Sequence, residues 1–266
     1  MKVGVAGLGT IGTVVARALD GGIEGLALAA VTTRDHDKGR GTMEAFQKAV
    51  PMVSAVELAE RVDIVVECVP KAVFREIAEP ALARGRVLIT VSGAALLVTS
   101  DLVELAQQNG GRILLASGAI LGLDALRAAA EGNIKSVTMV TRKPPRSLRG
   151  APYLEERGID IDALDGPLRV FEGSAAEGAQ GFPSNVNVAA AVGLAGIGPQ
   201  RTRLEIWADP SAERNMHTVR VEADSARFEM SIENVPSEEN PGTGKLTALS
   251  VIATLRGLVS PLKVGT

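Results

Sequence analysis

A glycine-rich turn near the start of the chain has the residue types and spacing that bind a dinucleotide. Gly7, Gly9 and Gly12 form a Gly-x-Gly-x-x-Gly motif, with Thr10 and Ile11 between the last two glycines. The motif follows an apolar run typical of a β-strand and begins a helical pattern. There, glycines permit a tight turn and close approach of backbone to pyrophosphate, and the helix amides point at the phosphates. We expect all five residues to bind a nicotinamide dinucleotide; a merely tight turn is the alternative.

The end of the second predicted strand bears on the choice between NAD and NADP. Thr33 and Arg34 stand about 20 residues past the glycine motif, where an NAD-selective site usually carries Asp or Glu. A hydroxyl and a guanidinium can bind a 2′-phosphate instead. The sequence therefore favours NADP, although Asp35 and Asp37 follow closely and leave NAD open. Arg34 as an ordinary solvated loop charge is the alternative.

Two histidines are available for proton transfer. His217 begins an alternating strand in the second half of the chain, and the ordinary pKa of histidine suits proton transfer near neutral pH. A partly buried strand histidine bonded to backbone is the alternative. His36 lies near the adenosine end of the expected cofactor site and is predicted to be a solvated loop residue.

Two further pairs of polar residues are candidates for substrate binding. Arg142 and Lys143 are adjacent cations at a predicted strand end and could hold a dicarboxylate, with ordinary solvated charges as the alternative. Asn185 and Asn187 lie in the uncharged segment 179–200, which we predict to be a small-residue helix. Burying an amide is costly without a partner, so we expect these residues to bind a ligand or cap the helix, with Asn185 assigned to substrate.

The single cysteine and its neighbour close an apolar strand. Cys68 is expected in the core, and no base nearby would activate its thiol, which disfavours the thioacyl chemistry of phosphorylating aldehyde dehydrogenases. Glu67 lies at the sheet edge where ligands bind, and both a site role and surface capping are open. His, Cys and carboxylate residues show no metal-ligand spacing, so no metal is expected.

The elements that must position these residues fall into two domains. Short apolar runs alternate with helical patterns over residues 1–130, which predicts an α/β fold with a doubly wound parallel sheet of the Rossmann type. Longer and more polar runs over 131–242 predict an α+β domain with a mostly antiparallel sheet, which we expect to bind the substrate and carry the catalytic residues. A C-terminal helix within 243–266 is expected to complete the first domain.

Composition narrows the class of protein. The chain has 266 residues, 46% of them hydrophobic, and a net charge of −3, enough apolar surface for a globular core. With 3% aromatic residues and no basic excess, nucleic acid is not an expected partner. The N-terminal apolar run is explained by the glycine motif rather than by a signal peptide, and Pro183 makes 179–200 a poor membrane span. One cysteine fits a reducing compartment, so a cytoplasmic location without membrane contact is expected.

Motifs spread over nearly the whole chain carry a family resemblance. They are Gly7–Gly12, Val65–Cys68, Ser117–Ile120, Gly122–Leu126, Thr141–Pro145, Phe171–Ala175, Phe182–Ala189, Ala208–Pro210, Arg214–His217, and Asn234–Pro236 with Glu239–Pro241. Together they resemble the L-aspartate dehydrogenase family of amino-acid dehydrogenases. The motifs of the second domain are far more specific than the glycine turn.

The resemblance implies oxidation of L-aspartate by a nicotinamide cofactor to iminoaspartate, which otherwise hydrolyses to oxaloacetate and ammonia, and a place in NAD biosynthesis. It also implies a homodimer, an active-site histidine at His217, and cofactor contacts at Ala119 and Asn187. Gly242 stands where the family pattern often has lysine, so a contact from that lysine is not expected. A dihydrodipicolinate-type reductase and a non-catalytic dinucleotide sensor are the alternative functions.

Overall fold

A computed structural model of the chain describes residues 1–183, 186–238, 240 and 243–265. They form two compact units. The first contains residues 1–116 and 247–263, and the second contains residues 117–246 with a short segment from Val264 onward.

The first unit is built on a parallel five-stranded sheet. Its strands are β1 (Lys2–Ala6), β2 (Ala27–Thr32), β3 (Ile64–Glu67), β4 (Val87–Thr90) and β5 (Arg112–Leu115). Their order is β2-β1-β3-β4-β5, and every pair is parallel. The order reverses between β1 and β3, so the carboxyl ends of these two strands form the crevice where such sheets bind ligands. The predicted doubly wound parallel sheet is confirmed.

Helices cover both faces of this sheet. They are α1 (Thr10–Asp20), α2 (His36–Met43), α3 (Ala55–Arg61), α4 (Phe74–Leu82), α5 (Gly93–Leu96) and α6 (Asp101–Gln108). Val3 and Val5 of β1 point into one aliphatic cluster, and Ala6 points into the other. Residues on both faces of a strand are therefore buried, which explains why these strands read as unbroken apolar runs.

The second unit contains a mixed sheet. Its strands are β6 (Ile134–Lys143), β7 (Leu168–Ser174), β8 (Thr202–Ala208), β9 (Asn215–Ala223) and β10 (Arg227–Asn234). In the order β10-β9-β6-β8-β7, β6 and β8 are parallel and the other neighbours are antiparallel. The mostly antiparallel sheet predicted from sequence is confirmed.

Five further helices follow the first unit's parallel sheet along the chain. They are α7 (Leu123–Ala130), α8 (Pro152–Glu156), α9 (Ala175–Gly181), α10 (Asn187–Ala195) and α11 (Lys245–Val259). Helix α7 lies in the second unit, where Leu126 packs against Gly196 at the end of α10. The two units therefore divide after Ala116 rather than near residue 130, the boundary expected from sequence. Val251 and Leu255 of α11 join the core of the first unit.

The uncharged segment 179–200 is not the single helix expected from sequence. Helix α9 starts with a capping box between Ser174 and Glu177 and ends at Gly181, and α10 starts at Asn187. Pro183 lies in the break, where its ring removes a backbone donor and disfavours helix for the residue before it. Within the described ranges, no helix combines the length and apolarity needed to cross a membrane.

Candidate functional site

The glycine turn between β1 and α1 contains glycines of two kinds. Gly7 has a φ of +92°, and a Cβ there would lie 2.6 Å from the carbonyl oxygen of Cys68. A Cβ on Gly12 would collide with the carbonyl oxygen of Gly7. Gly9 has an ordinary φ of −86°, and a Cβ there would meet no atom of the described residues within 4 Å. The fold itself therefore requires Gly7 and Gly12, whereas Gly9 keeps open space in front of the helix.

The start of α1 has the donors that a pyrophosphate needs. Among the described residues no side chain caps the helix, and the first amide bonded along it is that of Thr13, which donates to the Gly9 carbonyl at 2.9 Å. The amides of Thr10, Ile11 and Gly12 precede the first helical hydrogen bond and lie at the positive end of the helix dipole. The space at Gly9 together with these donors fits the phosphates of a dinucleotide.

Just after β2, the cationic side chain of Arg34 is exposed, whereas the carboxylates of Asp35 and Asp37 contact other groups. Arg34 is exposed and has no ion pair within the described part of the chain. Asp35 accepts a hydrogen bond from the amide of Lys38 at 2.9 Å and so caps α2, and Asp37 pairs with Arg40. Both carboxylates therefore have partners within α2. His36 is exposed, as predicted, but it is the first residue of α2 rather than a loop residue.

Glu67 is fully buried, so the surface-capping alternative for this residue is wrong. One carboxyl oxygen accepts from the amide of Val69 at 2.8 Å, and the other accepts from the hydroxyl of Thr90 at 2.5 Å. Burial raises the pKa of this carboxyl above its usual value. Glu67 thus joins the ends of β3 and β4 at the edge of the crevice.

Cys68 follows Glu67 and lies against the glycine turn. Its carbonyl approaches Gly7, and its Cβ would be 3.4 Å from a Cβ on Gly12. Burial, with a smaller effect from Glu67, raises the pKa of the Cys68 thiol well above its usual value. A thiol that stays protonated is a poor nucleophile, which agrees with the inert role expected from sequence.

The second unit places a histidine and a lysine on one face at one end of its sheet. His217 of β9 lies directly across from Thr141 of β6, and its Nδ1 is 3.1 Å from the Thr141 hydroxyl oxygen. Lys143 is two residues further along β6 and therefore on the same face. His217 is 4% exposed and Lys143 is 5% exposed.

Burial changes the proton affinity of both groups. Burial, with the nearby charge of Lys143, lowers the pKa of His217 to about 3. Burial alone lowers the pKa of Lys143 to about 8. The sequence-based expectation that His217 titrates near neutral pH is therefore wrong in this environment, because desolvation disfavours the imidazolium. Of these two groups, Lys143 has the pKa closer to neutral pH.

Arg142 is not brought together with Lys143. Consecutive strand residues face opposite sides of a sheet, so Arg142 lies on the other face, 5.5 Å above the ring of Trp207. Its guanidinium donates to the carboxylate of Asp209 at 2.8 Å. Hydrogen bonds from Ser211 and Arg142 lower the pKa of Asp209, which keeps this pair charged. The clamp of two adjacent cations predicted from sequence is therefore not formed.

Two asparagines on the face of His217 were missed from sequence. Asn215 of β9 and Asn234 of β10 are directly paired and buried, and neither Oδ1 has a hydrogen-bond partner among the described residues. The Nδ2 of Asn234 donates to the carbonyl of Ala119 at 2.9 Å, which fixes the half-buried Ala119 loop. The period of two in β9 places Asn215 beside His217 and could have revealed it.

The remaining sequence-based predictions concern two asparagines and a metal site. Asn187 is the first residue of α10 and is exposed, with Val186 at the N-cap, so it is not the buried amide that was expected. Asn185 lies outside the described residues. Within the described ranges, no group of three His, Cys, Asp or Glu residues is arranged to hold a metal ion.

These features define a class of protein: a two-domain dehydrogenase whose first unit has a nicotinamide-dinucleotide fold and whose second has a mixed sheet with a buried histidine and a buried lysine. A family model described as "Homoserine dehydrogenase, NAD binding domain" matches residues 7–116, which supports an NAD(P) cofactor. A model described as "Aspartate dehydrogenase, C-terminal" matches residues 124–258.

Similar proteins identify the family. L-aspartate dehydrogenase of Bradyrhizobium diazoefficiens is 54% identical over 266 residues, covering 100% of this chain and 94% of that protein. L-aspartate dehydrogenase 3 of Bordetella bronchiseptica is 50% identical, covering 100% and 98%. The crystal structure of aspartate dehydrogenase from Thermotoga maritima has a TM-score of 0.75 at 28% identity, covering 100% and 99%. The chain belongs to the aspartate dehydrogenase family.

Proposed function

We propose that this protein oxidises L-aspartate to iminoaspartate with NAD(P)⁺, reversibly, and that the imine hydrolyses to oxaloacetate and ammonia. The observation that carries the proposal is the similarity to L-aspartate dehydrogenases over the full length of both units. The same matches favour this function over a dihydrodipicolinate-type reductase and over a dinucleotide sensor.

The first unit would hold the cofactor. The open space at Gly9 and the amides of Thr10 and Ile11 fit the pyrophosphate, and Arg34 with Thr33 fits the 2′-phosphate of NADP. Ala119 and Asn187 are proposed as further cofactor contacts from the family resemblance. When bound, the oxidised nicotinamide supplies a two-electron acceptor.

The buried end of the β6–β9 pair would bind the substrate. Because the pKa of His217 is about 3, its imidazole is neutral at working pH. The hydrogen bond between Nδ1 and Thr141 fixes the ring and leaves Nε2 to bind the substrate nitrogen. Lys143 and Asn185 stay proposed substrate contacts, and Arg142 is no longer proposed as one.

The biological setting is proposed on the same basis. The family resemblance supports a homodimer and a place in NAD biosynthesis. The single cysteine supports a reducing cytoplasmic location without a structural disulfide.

The test is an absorbance assay for reduced nicotinamide. Purified protein is mixed with L-aspartate and either oxidised cofactor, then with oxaloacetate, ammonia and either reduced cofactor. Turnover in both directions, selective for aspartate over glutamate and alanine, would support the proposal. Cofactor binding without turnover would favour a sensor, and reduction of dihydrodipicolinate alone would favour the other reductase.

A further inference from the structure

Lys143 has an unusual position for a lysine. It ends β6 at the C-terminal edge of the strand, with 5% of its surface exposed. From Val137 onward on β6, and on β8 and β9, Lys143 and His217 are the only basic residues at the described strand positions that share this face. Lysine is almost never buried to this degree unless its charge is paired, because desolvation opposes the charge.

The surroundings of Lys143 include two titratable groups in the described part of the chain. His217 on β9 interacts with it electrostatically, and Asp209 follows β8, with its amide donating to the Lys143 carbonyl at 2.9 Å. The Asp209 carboxylate is already bonded to Arg142 and Ser211. Burial lowers the pKa of Lys143 to about 8, so in a large fraction of the molecules its amine is neutral at mildly alkaline pH.

We propose that Lys143 is a catalytic residue that accepts a proton from the α-ammonium of bound aspartate, while His217 orients that nitrogen. The inference rests on the proposed oxidation of aspartate. It assigns the proton-transfer role to the lysine rather than to the histidine.

The step balances in protons and electrons. An N–H bond of the substrate ammonium breaks, and a new N–H bond forms on Lys143 Nζ, which becomes an ammonium. The lone pair left on the substrate nitrogen becomes the second bond of the iminium as the Cα hydrogen leaves with its bonding pair. Aspartate loses two electrons to the oxidised nicotinamide, and the released proton resides on Lys143.

A purely electrostatic role for Lys143 makes different predictions. A lysine that only attracts the substrate carboxylates can be replaced by arginine, which carries the same charge and has more donors. A lysine that accepts a proton cannot, because arginine stays protonated at every working pH. Lys143→Arg therefore separates the two roles.

The experiment measures kcat at saturating aspartate from pH 6.5 to 10 for the wild type, Lys143→Arg and Lys143→Ala. Lys135→Arg, an exposed position on the same strand, is the matched control. We expect the wild-type kcat to rise with pH and level off above a pKa near 8. Lys143→Arg should lose about 10²–10⁴-fold in kcat together with the rising limb, and Lys135→Arg should keep both. NADPH affinity, followed by fluorescence, should be unchanged in all variants.

Two further measurements guard against a folding defect. Added ethylamine should restore turnover to Lys143→Ala in proportion to its neutral form. NMR titration of the lysine side chains in the cofactor-free wild type should show one amine titrating near 8, absent from Lys143→Arg.

Retention of kcat by Lys143→Arg with only a raised KM for aspartate would overturn the inference in favour of a charge clamp. A Lys143 amine that titrates near 10.5 would overturn it as well. A wild-type protein without aspartate turnover would instead overturn the proposed function, and the inference with it.

Discussion

The Nδ1 atom of His217 lies 3.1 Å from the hydroxyl oxygen of Thr141, directly across the antiparallel pair of β6 and β9. Both side chains are buried, so this hydrogen bond sets the orientation of the ring without competition from water. It also ties the histidine to the strand that ends in Lys143.

Thr141→Val removes the hydroxyl and keeps the shape of the side chain. We expect kcat to fall about 10-fold or more, because the ring loses its partner, while NADPH affinity is unchanged. The unpaired Nδ1 should also lower the free energy of unfolding by about 1–3 kcal/mol in urea denaturation. Thr141→Ser is the control and should retain most of the activity. Equal activity of the valine and serine variants would contradict the assigned role.

Gly9→Ala separates cofactor binding from folding. Its methyl group meets no atom within 4 Å in the described part of the chain, and φ is ordinary, so the free energy of unfolding should change by less than about 1 kcal/mol. The affinity for NADPH should fall at least about 10-fold, since the methyl fills the space proposed for pyrophosphate.

Gly12→Ala is the matched variant in the same turn. It should destabilise the fold, because its methyl collides with the carbonyl oxygen of Gly7. Thermal unfolding and fluorescence titration of both variants check this pair. Unchanged cofactor affinity in Gly9→Ala would place the pyrophosphate elsewhere.

Arg34→Ala tests cofactor selectivity. A charged hydrogen bond to a 2′-phosphate is worth about 1.5–3 kcal/mol, which corresponds to about 10–100-fold in kcat/KM for NADP⁺. The value for NAD⁺ should change less than about threefold, since NAD⁺ lacks that phosphate. Arg61→Ala, an exposed arginine at the end of α3, is the control. An equal loss of kcat/KM with both cofactors would show that Arg34 does not bind the 2′-phosphate.

Lys143→Met should stabilise the protein while it abolishes turnover. In the native state the pKa of Lys143 is about 8, below its ordinary 10.5, so the unfolded chain binds more protons between these values. The free energy of unfolding of the wild type should therefore rise from pH 8 to about 10.5. Below pH 8 the buried charge of Lys143 destabilises the native state to its full extent. At pH 7 the methionine variant should be more stable by up to about 3 kcal/mol.

Urea denaturation from pH 7 to 10.5 checks the Lys143→Met prediction. The expected result is a wild-type curve that rises with pH and a flatter curve for the variant, with Lys135→Met following the wild type. Parallel curves for the wild type and Lys143→Met would show that the lysine has an ordinary proton affinity.

The fold could be predicted from the sequence because its signals are local. Parallel strands such as β3 are buried on both faces and therefore appear as continuous apolar runs, and the glycine turn marks the junction of β1 and α1. Helix α10 was harder to predict, since the break at Pro183 interrupts a segment whose composition is uniformly small and uncharged.

The site could be predicted only in part. The pKa of a side chain and its position relative to distant residues depend on how the chain packs. His217 was found from its residue type, but its low pKa arises from burial and from Lys143, which lies far away in the chain. Arg142 and Lys143 are adjacent in sequence and opposite in space, since side chains alternate along a strand. Asn234 was missed because its contact with Ala119 spans 115 residues.

The most direct test of the central claim is aspartate-dependent reduction of NADP⁺ by the wild type and by His217→Ala, with NADPH affinity measured on the same preparations. We expect the wild type to turn over aspartate at least about 10-fold better than glutamate, which has one more methylene. We also expect His217→Ala to lose most of its turnover while its NADPH affinity is preserved. Tight NADPH binding by the wild type without any turnover of aspartate would contradict the account.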